Sequence, residues 1–170
     1  MIEDPGMSSI LSRCSKNILN EFNVSGVHLS INDGFDILLR GRLDKVELLD
    51  GSNVNVVDYK TGNPKSRRDI EGETKNSEGN YKRQLVFYKL LLDRFEPGRF
   101  VMKTGEIDFV EPNKQGKYKR ERFEVTEREV DDLVEVIKKA AQEIINLEFW
   151  DKNCTDPECD FCKMRKLLDM

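Results

Sequence analysis

Two aspartates and a lysine stand out in the stretch GRLDKVELLDGSNVNVVDYKTG, residues 41–62. Asp44 closes one apolar run, Asp58 and Lys60 end the next, and the turn Asp50-Gly51-Ser52 lies between them. Side chains two apart on a strand share a face, so Asp58 and Lys60 are neighbours while Tyr59 turns away. Asp44 can then approach Asp58 across the hairpin. Two carboxylates brought together repel, and a divalent cation is the usual way to keep both ionised. A lysine beside them can neutralise an attacked phosphate or orient a water, so the trio suits metal-assisted phosphodiester hydrolysis. On its own, Asp-x-Lys on a strand is an ordinary surface ion pair, and its meaning depends on the elements that carry it.

Those elements follow from apolar spacing. Ile10, Cys14, Ile18 and Phe22 recur every four residues, which predicts a helix over Ser8–Phe22. VHLSI and FDILLRGRLD follow, split by Asn32-Asp33-Gly34, and then VELL and VNVVDYK, so the region predicts an antiparallel meander. The polar stretch NPKSRRDIEGETKNSEGN predicts a long exposed loop. Tyr81, Leu85, Tyr88, Leu92 and Phe95 form a second helical stripe, which stops at Pro97-Gly98. Residues 100–110 and 118–125 predict two further strands, and Thr126 with Glu129 predicts a capping box that opens a helix reaching about Phe149. The order is α/β.

The helix after the loop adds Gln84 and Tyr88, one turn apart on one face. Tyr88 also suits plain core packing; Gln84 interrupts the apolar stripe and needs a partner. Gly41-Arg42-Leu43-Asp44, the strand ending Asp58-Tyr59-Lys60-Thr61-Gly62, and Gln84-x-x-x-Tyr88 together resemble the RecB-like branch of the PD-(D/E)XK nuclease superfamily, as in AddB-type and CRISPR-associated relatives. The resemblance covers about residues 8–110. It implies a restriction-endonuclease-like core, a central mixed sheet flanked by helices. It also implies that Asp44 and Asp58 bind Mg²⁺ or Mn²⁺, that Lys60 is the catalytic lysine, and that Gln84 and Tyr88 help position DNA and the active site. The family's histidine on the first helix is absent here. Glu21 is the expected substitute ligand, and His28, the only histidine, is a lesser candidate.

Cys154, Cys159 and Cys162 lie within nine residues, and C-x-x-C is a favourable bite for a metal ion or a cluster corner. Cys14 is the remaining cysteine, and its place on an apolar stripe equally suits a small buried hydrophobe. One cysteine before the core and three after it is similar to the [4Fe-4S] arrangement of many RecB-like nucleases; zinc is the other option. The C-terminal spacing departs from the family's, in which C-x-x-C precedes the last cysteine.

The formal net charge is −4, so no whole-molecule basic field marks a nucleic-acid binder, and contacts with DNA must be local. Lys65, Arg67, Arg68, Lys82 and Arg83 flank the acidic site in sequence and are the candidate DNA-binding residues. Lys114, Lys117, Lys119, Arg120 and Arg122 form another group that equally suits a solvated face. No apolar run approaches a membrane span and no signal pattern opens the chain, which predicts a cytoplasmic protein. The expected organisation is a tag or linker over 1–6, a nuclease core over 7–150, and a cysteine segment over 151–170 packed on the core. The expected function is a metal-dependent DNA nuclease, chiefly an exonuclease of repair or recombination, working with a helicase domain or subunit. The alternative is a DNA-binding module that keeps the fold and cuts weakly or not at all. A small zinc-binding structural protein ranks last.

Overall fold

The computed structural model describes residues 17–32, 34–75, 77–148, 154 and 156–167. The elements are β1 (Ile18–Asn32), β2 (Phe35–Leu48), β3 (Asn53–Lys60), α1 (Arg67–Glu71), α2 (Asn80–Arg94), β4 (Val101–Phe109), β5 (Lys119–Phe123), α3 (Glu127–Ile145) and α4 (Asp160–Leu167). Five strands form one mixed sheet in the order β1-β2-β3-β4-β5. Only β3 and β4 are parallel, because the chain crosses over between them through α1 and α2; the other pairs are antiparallel. A strand in that central position is covered on both faces, which explains the unbroken buried run Val54 to Asp58.

Val54 and Val56 of β3 join Leu85, Leu91 and Leu92 of α2 in the main core, together with Val24, Val27, Leu29 and Ile31 of β1. Gly41 is where α2 comes closest to β2: a Cβ there would sit 2.5 Å from Leu91 Cδ1. The glycine of the GRLD stretch thus lets the helix approach the strand that carries Asp44. α3 begins at the expected capping box, where Thr126 accepts from Glu129 N–H and the Glu129 carboxylate accepts from the Thr126 N–H. It buries Val130 and Val134 against the same core and ends at Ile145, while Phe149 lies outside the described residues. Among the described residues, no helix is long and apolar enough to cross a membrane.

Two expectations change. Of the helix expected over Ser8–Phe22, residues 8–16 lie outside the described set, and Ile18–Phe22 are strand, paired with β2. Glu21 has φ 53°, a left-handed kink that leaves Leu19 and Phe22, three residues apart, both packed on the core. That spacing imitates a helical face. The second change is in the predicted long loop, which contains the short helix α1. Ser66 and Asp69 form its capping box, and Gly72, with φ 80°, ends it.

Candidate active site

The apolar alternation of β3 carries Asp58 inward on the α2 side of the sheet, where its side chain is 2% exposed. A carboxylate so placed needs partners. Tyr88, rising from α2, donates its hydroxyl to Asp58 Oδ1 at 2.9 Å, and Lys60 Nζ lies 2.6 Å from Asp58 Oδ2. Lys60 also donates to Gln84 Oε1 at 2.6 Å, and Gln84 Nε2 donates to the Tyr88 hydroxyl at 2.6 Å. Asp58, Lys60, Gln84 and Tyr88 therefore close a ring of four side chains. The polar gap in the α2 stripe at Gln84 is explained, since its amide bridges the lysine and the tyrosine. Asp44 lies on the adjacent strand, where its Oδ2 accepts the Tyr59 N–H at 2.9 Å.

Burial pushes the Asp58 carboxyl above its usual range, and the negative charge of Asp44 adds to the rise; Lys60 and Tyr88 pull the other way. Burial, and then the charge of Asp58, also push the Tyr88 hydroxyl upward, so it remains a hydrogen-bond donor. Asp58 Oδ2 is fully buried and, despite the close ammonium, takes no hydrogen bond of proper geometry. An under-satisfied carboxylate oxygen with a second aspartate close enough to raise its pKa is the donor set that a hard divalent cation fits.

The two lesser ligand candidates lie elsewhere in the geometry. Glu21 is on β1, exposed, and ion-paired with Arg42. His28 is an exposed position of β1 opposite Leu38, on the face turned away from the buried Val27 and Leu29. The basic candidates divide. Arg67 pairs with Glu71 and Glu121 and lies over the Phe123 ring; Arg68 pairs with Glu73; Lys82 pairs with Glu129 and donates to the Glu124 carbonyl. Arg83 donates to Asn80 and to the Glu78 carbonyl. Lys65 instead stands over the ring of Tyr81, 4.5 Å from its centroid, with Lys60 Nζ 4.8 Å from the same centroid. The sequence marks Tyr81 only as one position of a helical stripe; its aromatic type next to a lysine-bearing strand is the available signal. Arg120 and Arg122 of the later hairpin are drawn onto Glu106 and Asp108 across β4 and β5.

The three C-terminal thiols meet. The sulfur atoms of Cys154, Cys159 and Cys162 all lie within 4.8 Å of one another, an arrangement able to hold a metal ion. Hydrogen bonding with Cys159 and Cys162 pushes the Cys154 thiol up to about 11, whereas the Cys162 backbone and Cys154 hold Cys159 below its ordinary value. Cys14 lies outside the described residues. α4, which carries Cys162, buries none of its side chains.

The mixed sheet thus brings two acidic residues and a lysine together on β2 and β3. Residues 10–167 match the PD-(D/E)XK nuclease superfamily, and the chain belongs to it. No curated protein matches the sequence. Among solved structures, an Eubacterium rectale protein named as a candidate exonuclease is similar, with a TM-score of 0.53 and 14% identity over 92% of this chain and 58% of that one. The protein SSO0001 has a TM-score of 0.47 and 15% identity, over 85% and 56% of the two chains. The chain thus spans a little over half the length of these structures, and at such identity the likeness concerns the fold.

Proposed function

We propose that the chain is a RecB-like, Mg²⁺- or Mn²⁺-dependent deoxyribonuclease that removes nucleotides from DNA ends in repair or recombination, in company with a helicase domain or subunit. The observation that carries this reading is the closed ring of Asp58, Lys60, Gln84 and Tyr88 beside Asp44. Asp44 and Asp58 are the residues to hold the cation, which when bound supplies an acidified water and positive charge at the scissile phosphate. Lys60 brings a fixed ammonium to the same place and stabilises the negative charge that develops on the phosphate oxygens. Gln84 ties Lys60 to Tyr88, so the ammonium is held in position before substrate arrives. Tyr88 occupies Asp58 Oδ1 and leaves Oδ2 to face Lys60. The three C-terminal thiols are a separate site for Zn²⁺ or a [4Fe-4S] cluster, with Cys14 as the candidate fourth ligand.

The test is cleavage of end-labelled single- and double-stranded DNA with Mg²⁺ or Mn²⁺, by wild type, Lys60→Ala and Asp58→Ala. Metal-dependent cutting that both substitutions abolish supports the nuclease, and the label pattern gives its direction. Cutting that survives either substitution refutes the assignment of the site.

A further inference from the structure

Beside the reacting residues, the segment between β3 and α2 is more elaborately built than a connection requires. Gly72 and Gly79, with φ 80° and 67°, bring the end of α1 against the start of α2; a Cβ on Gly72 would lie 2.8 Å from Gly79 N. Asp69 ties the segment down from within: its carboxylate accepts from Ser66 and from Thr74, and its carbonyl accepts from the Ser77 hydroxyl. Hydrogen bonds from Ser66 and Thr74, with the nearby charge of Lys65, hold the Asp69 carboxyl below its usual range. A closed turn with two left-handed glycines carries an entropic cost that a plain linker avoids.

The loop walls a cleft of about 400 Å³ lined by Lys65, Lys75, Ser77, Asn80 and Tyr81, with Asp69 and Glu78. That volume holds one small organic ligand. Tyr81 lines this cleft and also adjoins the acidic site, with Lys65 Nζ 4.5 Å and Lys60 Nζ 4.8 Å from its ring centroid. Among the described residues, neither Lys65 nor Lys75 makes an ion pair, in contrast to Arg67, Arg68 and Lys82 around them. These two ammonium groups, Lys65 on the Tyr81 ring near Asp69 and the exposed Lys75, together with the amide and hydroxyl of Asn80 and Ser77, match the phosphate and the polar edges of one nucleotide.

Building on the proposed nuclease reading, we propose that this cleft is the subsite for the nucleotide that flanks the scissile phosphate. Lys65, seated on the Tyr81 ring, and Lys75 hold its phosphate, and Asn80 and Ser77 meet the unstacked nucleoside. Because the cleft admits one nucleotide and not a stacked base pair, the strand must separate before it enters, and a blunt duplex is engaged less well than a frayed end.

The experiment measures binding of a labelled unstructured oligonucleotide and of the blunt duplex of the same sequence, in chelator so that nothing is cut. Wild type, Lys65→Ala, Lys75→Ala and Tyr81→Leu are compared, with Lys138→Ala on α3 as a control. Both lysine positions are exposed, so these variants test the cleft even if Tyr81→Leu unfolds. The expected result is a roughly tenfold loss of single-strand affinity in Lys65→Ala and Lys75→Ala, the size of one phosphate contact, with little change in duplex binding. Wild-type affinity in both lysine variants overturns the subsite while metal-dependent cutting leaves the nuclease standing. A wild type that binds neither probe and cuts no DNA overturns both.

Discussion

Replacing Lys60 by methionine tests whether the candidate site rests on a buried ion pair. In the metal-free protein the substitution strands Asp58, 2% exposed, with only the Tyr88 hydroxyl bond to offset its charge. Breaking a buried pair from one side costs about 3–5 kcal/mol. The Lys60 side chain is 17% exposed and Tyr88 stays, so the lower end, about 3 kcal/mol at pH 8, is expected. For a chain of this size that is a fall of roughly 6–12 °C in Tm. The pH dependence has a definite sign. The folded-state pKa of Asp58 is already raised by burial, so the native state binds its proton more tightly than the unfolded chain does. Stability conferred by that proton is full below the unfolded value and falls as pH rises through the folded one. Lys60 lowers the Asp58 pKa, so removing it moves the folded value higher still and extends the falling region. The deficit of the variant therefore opens with rising pH and shrinks as pH falls and Asp58 takes up its proton. Thermal melts in chelator from pH 4 to pH 8 measure this. A Tm difference that is constant across the range, or absent at pH 8, refutes the buried-pair reasoning.

Three shorter predictions follow from the same contacts. Tyr88→Phe removes the donor to Asp58 Oδ1 and the acceptor of Gln84 Nε2, so it should cost about 1–3 kcal/mol in chemical denaturation and lower cleavage by loosening Lys60. Thr126→Ala deletes the N-cap of α3 and should destabilise by about 1 kcal/mol without altering cleavage, since none of the hydrogen bonds among Asp58, Lys60, Gln84 and Tyr88 involves Thr126 or Glu129. Cys159→Ser should abolish stoichiometric binding of Zn²⁺ or iron by the C-terminal thiols, read by elemental analysis of anaerobically purified protein, because it removes one of the three convergent sulfurs.

The pairing of Asp58 with Lys60 was legible because strand alternation is a short-range rule. Asp58 and Lys60 share a face whatever the rest of the chain does, and the Gly turn brings the Asp44 strand beside them. Gln84 was legible as a polar interruption of an apolar stripe, and the α3 cap as Thr126-x-x-Glu129. What failed was the local reading of spacing. The i, i+4 run through Ile18 and Phe22 looks helical, yet pairing with β2 and one left-handed residue, Glu21, produce the same apolar spacing on a strand. In the polar segment, the Ser66-x-x-Asp69 cap of α1 is short and carries too little apolar signal to stand out from a loop.

Sequence by itself determined which side chains could do acid, metal and ammonium chemistry and which elements would carry them. Only tertiary structure decided that Tyr88 donates to Asp58 from a helix 30 residues on, and that Gln84 closes the ring. It likewise decided that Arg67 and Lys82 are tied to neighbouring carboxylates while Lys65 stands on Tyr81 beside Lys60. The physical reason is the same in each case: residue type and periodicity fix what a side chain can bond to and which face it occupies, but the partner that satisfies it comes from another element, and burial makes that partner obligatory.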